Sequence, residues 1–259
     1  GKYAADTLRY NIMIIDSHCH LKHGDEKGTE YNAETIVKIM DSVGINKSIV
    51  FAMSTTTVRS IEMAKEAIEA FPDRLIPYAY ALPNYETIVL YQLEKAISES
   101  GFKGIKIHAG ECTLAEYVID PVMELAGKLN VPCLIDCLGR YDPIERMAKK
   151  FQKTKIIVAH FGRYLCKEEW VVKRFIELAE EYENIMLDAS GVVLVDKIKE
   201  AVERIGSSRI IFGIDGPHEL PDTVTYAHNE IEKIRKLNLN PQDEYAILGG
   251  NIAFLIGYL

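Results

Sequence analysis

Short β-branched apolar runs alternate with amphipathic stretches along nearly the whole chain, and this alternation constrains the fold more than any other feature. Strands are expected at residues 12–16, 47–52, 75–81, 104–108, 132–137, 155–160, 185–189 and 209–213. Helix-period segments lie between and after them, at 33–43, 58–71, 85–98, 114–129, 142–151, 168–182, 195–205 and 222–237. Strict alternation of this kind implies parallel strands joined by crossover helices. Eight such units in a chain of 259 residues match the size of a closed (β/α)8 barrel, the TIM-barrel architecture. An open doubly wound sheet is the main rival, but no glycine-rich phosphate turn follows the first strand. No linker or low-complexity stretch divides residues 1–259, so one domain is expected, with a short helix over 247–259 closing the barrel.

Composition excludes some partners. The chain is 48% hydrophobic and 26% charged, ordinary for a soluble globular protein. A net charge of -8 weighs against general attraction to nucleic acid or an anionic membrane. No apolar run is long enough to span a bilayer, and residues 1–11 lack the apolar core of a secretory signal. The five cysteines include no CxxC pair, which favours free thiols in a reducing cytoplasm. The expected partner is a small-molecule substrate, with self-association left open.

Active sites of such barrels sit at the C-terminal ends of the strands. The first strand leads into His18-Cys19-His20, whose two imidazoles share a face because side chains alternate along a strand. Their Cα atoms are roughly 7 Å apart, close enough for both rings to reach one ion. The fourth strand ends in Lys106 and His108, the fifth in Asp136 above Leu134, the sixth in His160 above Val158, and Asp215 follows the eighth. Neutral imidazoles with a carboxylate are the usual ligands of a catalytic Zn²⁺ or similar divalent ion, which lowers the pKa of bound water towards ~7. Asp215 and His160 are candidates for moving the proton. Lys106 reads as a mouth lysine paired with Glu111 or Asp136, as a substrate clamp, or as the carrier of a bridging carbamate. His108 reads as a substrate contact or a packed polar residue. Arg140 and Arg163, a few residues past strand ends, are candidates to fork onto a substrate carboxylate, or are ordinary surface ion pairs. His218 is placed to shape the loop after Asp215, whereas His23 and His228 read as solvated. Cys19, Cys133 and Cys137 are expected on outward faces, packed under helices.

The motifs Ile15-Asp16-Ser17-His18-Cys19-His20-Leu21, Gly104-Ile105-Lys106-Ile107-His108, Val158-Ala159-His160-Phe161-Gly162 and Phe212-Gly213-Ile214-Asp215-Gly216-Pro217-His218, with Gly249-Gly250-Asn251 near the end, together resemble the amidohydrolase superfamily. The likeness is to its amidohydrolase-related branch of metal-dependent barrels, which contains hydrolases, lactonases and nonoxidative decarboxylases. The resemblance implies His18, His20 and Asp215 as metal ligands, and His160 as a ligand or activator of water. Where the family usually ends its fifth strand in histidine, this chain carries Asp136. As a ligand, that oxygen donor would shift preference from Zn²⁺ towards Mn²⁺. The opening motif looks equally like the TatD-type metal-dependent deoxyribonucleases. That family uses a glutamate where this chain has Lys106 and His108, and the acidic net charge counts against DNA. The leading expectation is therefore a metal-dependent hydrolase of an ester, lactone or amide in a small anionic substrate. A nonoxidative decarboxylase of a small unsaturated or aromatic acid, and a ligand-binding barrel without catalysis, are the alternatives.

Overall fold

The computed structural model describes residues 12–218 and 222–258. Within them the chain runs β1 (Ile15–Lys22), α1 (Ala33–Val43), β2 (Lys47–Ala52), α2 (Thr57–Ala70), β3 (Leu75–Pro77), β4 (Ala79–Tyr80), α3 (Ile88–Ser100), β5 (Ile105–His108), α4 (Glu116–Leu129), β6 (Cys133–Asp136), α5 (Tyr141–Lys150), β7 (Ile156–Val158), α6 (Glu169–Glu181), β8 (Ile185–Asp188), α7 (Val195–Ile205), β9 (Ile210–Ile211) and α8 (Thr223–Arg235). Paired strands are parallel throughout these sheets, in the orders β1-β2-β3 and β4-β5-β6-β7-β8-β9. Together they form a (β/α)8 barrel.

The expected third strand, 75–81, is broken in two. Its first half pairs with β2, ending with Tyr78 N–H donating to the Val50 carbonyl at 3.1 Å, and its second half pairs with β5, where Ala79 N–H donates to Gly104 at 2.9 Å. Between β9 and β1 no strand ladder forms among the described residues. That seam is bridged instead by Ser17 N–H to the Phe212 carbonyl (3.2 Å), Ser17 Oγ to the same carbonyl (2.6 Å) and His20 N–H to the Gly216 carbonyl (2.8 Å).

The first strand departs most from expectation. It does not end at Asp16 but continues to Lys22, and it contains a bulge. Asp16 pairs with Ser48 and Cys19 with Val50, so three steps on β1 match two on β2. The extra residue shifts the parity of the strand. Ile15 packs inside the barrel, His18 and His20 also face the interior, and Cys19 is pushed out among the residues packed under the helices.

Two apolar layers result from the alternation. Ile15, Ile49, Ile76, Tyr78, Leu134, Ile157, Met186 and Ile211 fill the barrel. Val50, Ile105, Ile107, Cys133, Ile135, Ile185, Leu187 and Ile210 point outward against helix residues such as Met40, Leu93, Val122, Ile144, Phe175, Ile198 and Ile231. Helix ends follow local chemistry: the Asn32 side chain accepts from Thr35 N–H to start α1, and Gly44, with φ 81°, ends it. The expected closing helix is present as consecutive turns Pro241–Tyr245, Ala246–Gly250 and Asn251–Leu255. Its Ile252 and Ala253, with Ile256 beyond, plug the floor of the barrel. Gly249 allows this close approach, because a Cβ there would collide with the Met13 carbonyl.

Candidate active site

A cavity of about 410 Å³ opens at the C-terminal ends of the strands. His18, His20, His23, Lys106, His108, Asp136, His160, Tyr164, Asp215 and His218 are among its lining residues. Residues separated by nearly the whole sequence thus share one pocket.

On one side His18, His20 and Asp215 converge. Asp215 Oδ1 lies 3.1 Å from His18 Nε2 and 3.4 Å from His20 Nδ1. Potential ligand atoms of these three residues all lie within 4.8 Å of one another. His18 Nδ1–H donates to Asp188 Oδ2 at 2.9 Å, which leaves the Nε2 lone pair facing the cavity. A histidine backed by a carboxylate in this way is the usual arrangement of a metal ligand. His20 Nδ1 is buried with no hydrogen-bond partner among the described residues, a costly state unless another group engages it. Burial, with the Lys106 charge, pushes the His18 imidazole down to about 3, and burial lowers His20 as well. Both rings are therefore neutral, with lone pairs available. This donor set fits a divalent ion.

Asp188 and Ser190 stand behind the site, and neither was anticipated from sequence. Burial alone would raise the Asp188 carboxyl, but hydrogen bonds from His18 and Ser190 and the neighbouring His160 charge hold it below the usual carboxylate range. Its Oδ2 also accepts from Ser190 Oγ at 2.5 Å, and its Oδ1 from Ser190 N–H at 3.0 Å. His18, His160 and Asp188 form a second close cluster. Since Asp188 already takes the His18 Nδ1 proton, this cluster reads as a hydrogen-bonded support and not as an ion site. The signal for Asp188 was present: it ends the seventh barrel strand, where the same strand-end rule applies.

Opposite lies His108–Asp136–His160. Gly110 N–H donates to His108 Nδ1 at 2.9 Å, so the His108 proton sits on Nε2 and points at Asp136 Oδ2, 3.3 Å away. His160 Nδ1–H donates to the Ser190 carbonyl at 2.7 Å. Its Nε2 faces Asp136 Oδ2 at 3.4 Å and Asp215 Oδ2 at 3.7 Å. Burial opposes charge on His160, yet the Asp215, Asp136 and Asp188 carboxylates raise it to about 9, making it an imidazolium at neutral pH. Burial pushes the Asp215 carboxyl up to about 7 against the pull of His160 and Lys106. Asp136, expected as a metal ligand, is instead held between two imidazoles and is outside both ligand clusters.

Backbone turns aim these groups. The sixth barrel strand ends at Val158, not at His160 as expected. His160 and Phe161 follow in left-handed conformations, φ 60° and 52°, and Asp215 is also left-handed at φ 59°. Each costs on the order of 1 kcal/mol for a non-glycine residue, so the surrounding packing must hold them there. Gly213 is required nearby: a Cβ would come within 2.9 Å of His18 Cβ and 3.0 Å of Asp188 Oδ1.

Other expectations need correction. Lys106 is fully buried, with Nζ 3.2 Å from His18 Nε2 and 5.0 Å from the centre of the Phe51 ring. It makes no ion pair with Glu111 or Asp136 among the described residues. Glu111 is taken by Ser54 N–H (2.9 Å), Ser54 Oγ (2.6 Å) and the Tyr80 hydroxyl. Arg140 is exposed, and Arg163 is half-buried and paired with Glu168 at 2.7 Å. Both arginines lie outside the cavity lining, because the loops carrying them turn away through Leu138 (φ 52°), Gly139 (φ 77°) and Gly162 (φ 111°). His218 does line the cavity and donates from Nε2 to the Ile214 carbonyl at 3.1 Å. His23 is not a solvated residue: it stacks on His20 with ring centres 4.0 Å apart and donates to the Pro217 carbonyl at 2.8 Å.

Comparison with known proteins agrees with the barrel fold. An amidohydrolase from Burkholderia multivorans, solved with bound zinc, superposes with a TM-score of 0.75 at 13% identity, over 95% of this chain and 99% of that one. A probable 2-pyrone-4,6-dicarboxylic acid hydrolase from Acinetobacter baumannii, with citric acid bound, gives 0.71 at 18% identity over 94% and 99%. A 2,6-dihydroxybenzoate decarboxylase from Rhizobium gives 0.67 at 18% identity over 95% and 99%. These likenesses show the barrel fold. A family model described as Amidohydrolase matches residues 15–257, from the first barrel strand through the closing helix, and by that match the chain belongs to the amidohydrolase family.

Proposed function

We propose that the protein is a metal-dependent hydrolase that opens an ester, lactone or amide bond in a small substrate. The observation that carries this reading is the meeting, within one cavity, of the His18–His20–Asp215 donor set with His160, whose Nε2 faces Asp136 and Asp215. His18, His20 and Asp215 would hold the ion; two imidazoles and one carboxylate suit Zn²⁺. When bound, such an ion supplies a Lewis acid for a carbonyl oxygen and lowers the pKa of water.

The protein's own groups divide the remaining work. Asp215, whose Oδ2 lies 3.7 Å from His160 Nε2, accepts a proton from the attacking water. His160, fixed through Nδ1 to Ser190, donates from Nε2 to the leaving oxygen or nitrogen. Asp136 keeps that imidazole charged and aimed. Lys106 presents its amino group to the cavity, a donor that suits a substrate carboxylate at that point; burial lowers its pKa against the pull of the Asp136, Asp215 and Asp188 carboxylates. With Arg140 and Arg163 outside the cavity, a forked arginine clamp is not part of the recognition.

The test is direct. Metal content of the purified protein is measured, and lactones, esters and amides are screened for acid release. His18→Ala should remove both metal and turnover; retention of both would sink the mechanism. A second reading, nonoxidative decarboxylation, is favoured by the His160 imidazolium. Carbon dioxide would leave the substrate, and the carbon left behind would take the His160 Nε2 proton. Carbon dioxide evolved in step with substrate loss separates this reaction from hydrolysis.

A further inference from the structure

The barrel has a weak point where it needs precision. His18 and Asp215, whose facing atoms lie 3.1 Å apart, sit on opposite sides of the β9–β1 seam, where no strand ladder sets their spacing among the described residues. Asp16 lies at this seam, two residues before His18 and at the start of the bulge in β1. It is buried and does not line the active-site cavity. Its Oδ1 accepts two backbone N–H groups at once, His18 at 3.0 Å and Ile214 at 2.9 Å. The first belongs to His18 itself and the second to the residue immediately before Asp215.

We infer that Asp16 is a positioning residue whose single carboxyl oxygen fixes the spacing between His18 and Asp215 across the open seam. This rests on the metal-centre reading given above. One acceptor that binds both donors holds the two peptide units at a set separation, as two ladder bonds would elsewhere in the sheet. Ser17 performs a different task at the same seam. Its hydroxyl and N–H both bind the Phe212 carbonyl, which closes the barrel without touching His18 or Ile214 N–H. The two neighbours therefore separate positioning from closure. Beside Asp16, across the β1–β2 ladder, Ser48 has a buried hydroxyl without a partner among the described residues. Both line a cavity of about 20 Å³, so an asparagine amide at position 16 has an acceptor within the same space.

The test titrates metal-stripped full-length protein with Co²⁺, reading both affinity and the visible absorption band, with melting of the stripped protein alongside. Asp16→Asn keeps the oxygen acceptor and should bind Co²⁺ within about threefold of wild type with the same band. Asp16→Ala should bind about 10–100-fold more weakly with an altered band, the range expected for loss of a supporting residue. Ser17→Ala should melt lower but keep Co²⁺ affinity within about threefold. Asp16→Ala binding as tightly as wild type with an unchanged band overturns the inference, as does Asp16→Asn binding as weakly as a tenfold loss. If Asp16→Ala does not fold, the Asp16→Asn result decides alone. Wild-type protein that takes up no Co²⁺ overturns the metal-centre reading itself, a different outcome from either failure.

Discussion

Along the barrel axis the interior changes character within two residues of strand. At the floor, Ile15, Ile49, Ile76 and Ile211 meet Ile252 and Ala253 of the closing helix in a dry apolar layer. Nearer the mouth, on β1, β5, β6 and β8, stand His18, Lys106, Asp136 and Asp188, all buried. Burying charged groups costs several kcal/mol each unless they are paired, so the mouth is the less stable half. Its groups are paired with one another, but His20 Nδ1 and the left-handed backbones at His160 and Asp215 keep it from being fully relaxed. The contrast teaches that the floor stabilises the fold while the mouth holds strain that chemistry can use.

Four variants sharpen or break that contrast. The largest effect is expected at the mouth: His160→Gln should lower kcat about 10²–10⁴-fold, the usual range for an acid–base group, while the urea midpoint moves little. A loss of less than tenfold would remove His160 from the proposed proton transfer. Next, Leu134→Ala, directly beneath Asp136 in the apolar layer, should lose about 2–5 kcal/mol in urea unfolding, while the folded fraction keeps its metal affinity. An unchanged unfolding midpoint would show that the floor is not what stabilises the barrel. Third, Asp188→Ala should weaken metal binding about 10–100-fold in a chelator competition, because His18 loses its proton acceptor. Unaltered affinity would deny Asp188 its orienting role. The smallest effect belongs to Arg163→Ala. Its exposed pair with Glu168 is worth about 0–1 kcal/mol, and KM should stay within about twofold. A tenfold rise in KM would return Arg163 to substrate recognition.

Much of this architecture was legible beforehand for a simple reason. Burial on one helix face or one strand face leaves a period in the sequence, and a period survives without coordinates. The seven helices from α1 to α7 fall within a few residues of the expected segments, and so does α8. Strand-end logic also led to His18, His20, Lys106, His108, Asp136, His160 and Asp215, all of which line one cavity. It failed where the backbone leaves its regular path. The bulge in β1 flips parity between Ile15 and His18, and no two-residue period announces it. Left-handed turns after β6 and β7 carry Arg140 and Arg163 away from the mouth, although their positions along the chain look favourable. Asp188 was readable by the same rule as Asp136, since each closes a barrel strand.

By itself, the order of apolar and polar residues determined a ring of parallel strands, which face of each is buried, and that imidazoles and carboxylates gather at one end. These are local consequences of side-chain period and backbone valence. Only the tertiary structure decided which polar atoms touch: that Asp188 backs His18, that Asp136 serves two imidazoles, and that Asp16 stitches the seam. Such contacts join residues up to some two hundred positions apart, and distances of a few ångströms between them depend on the packing of the whole barrel.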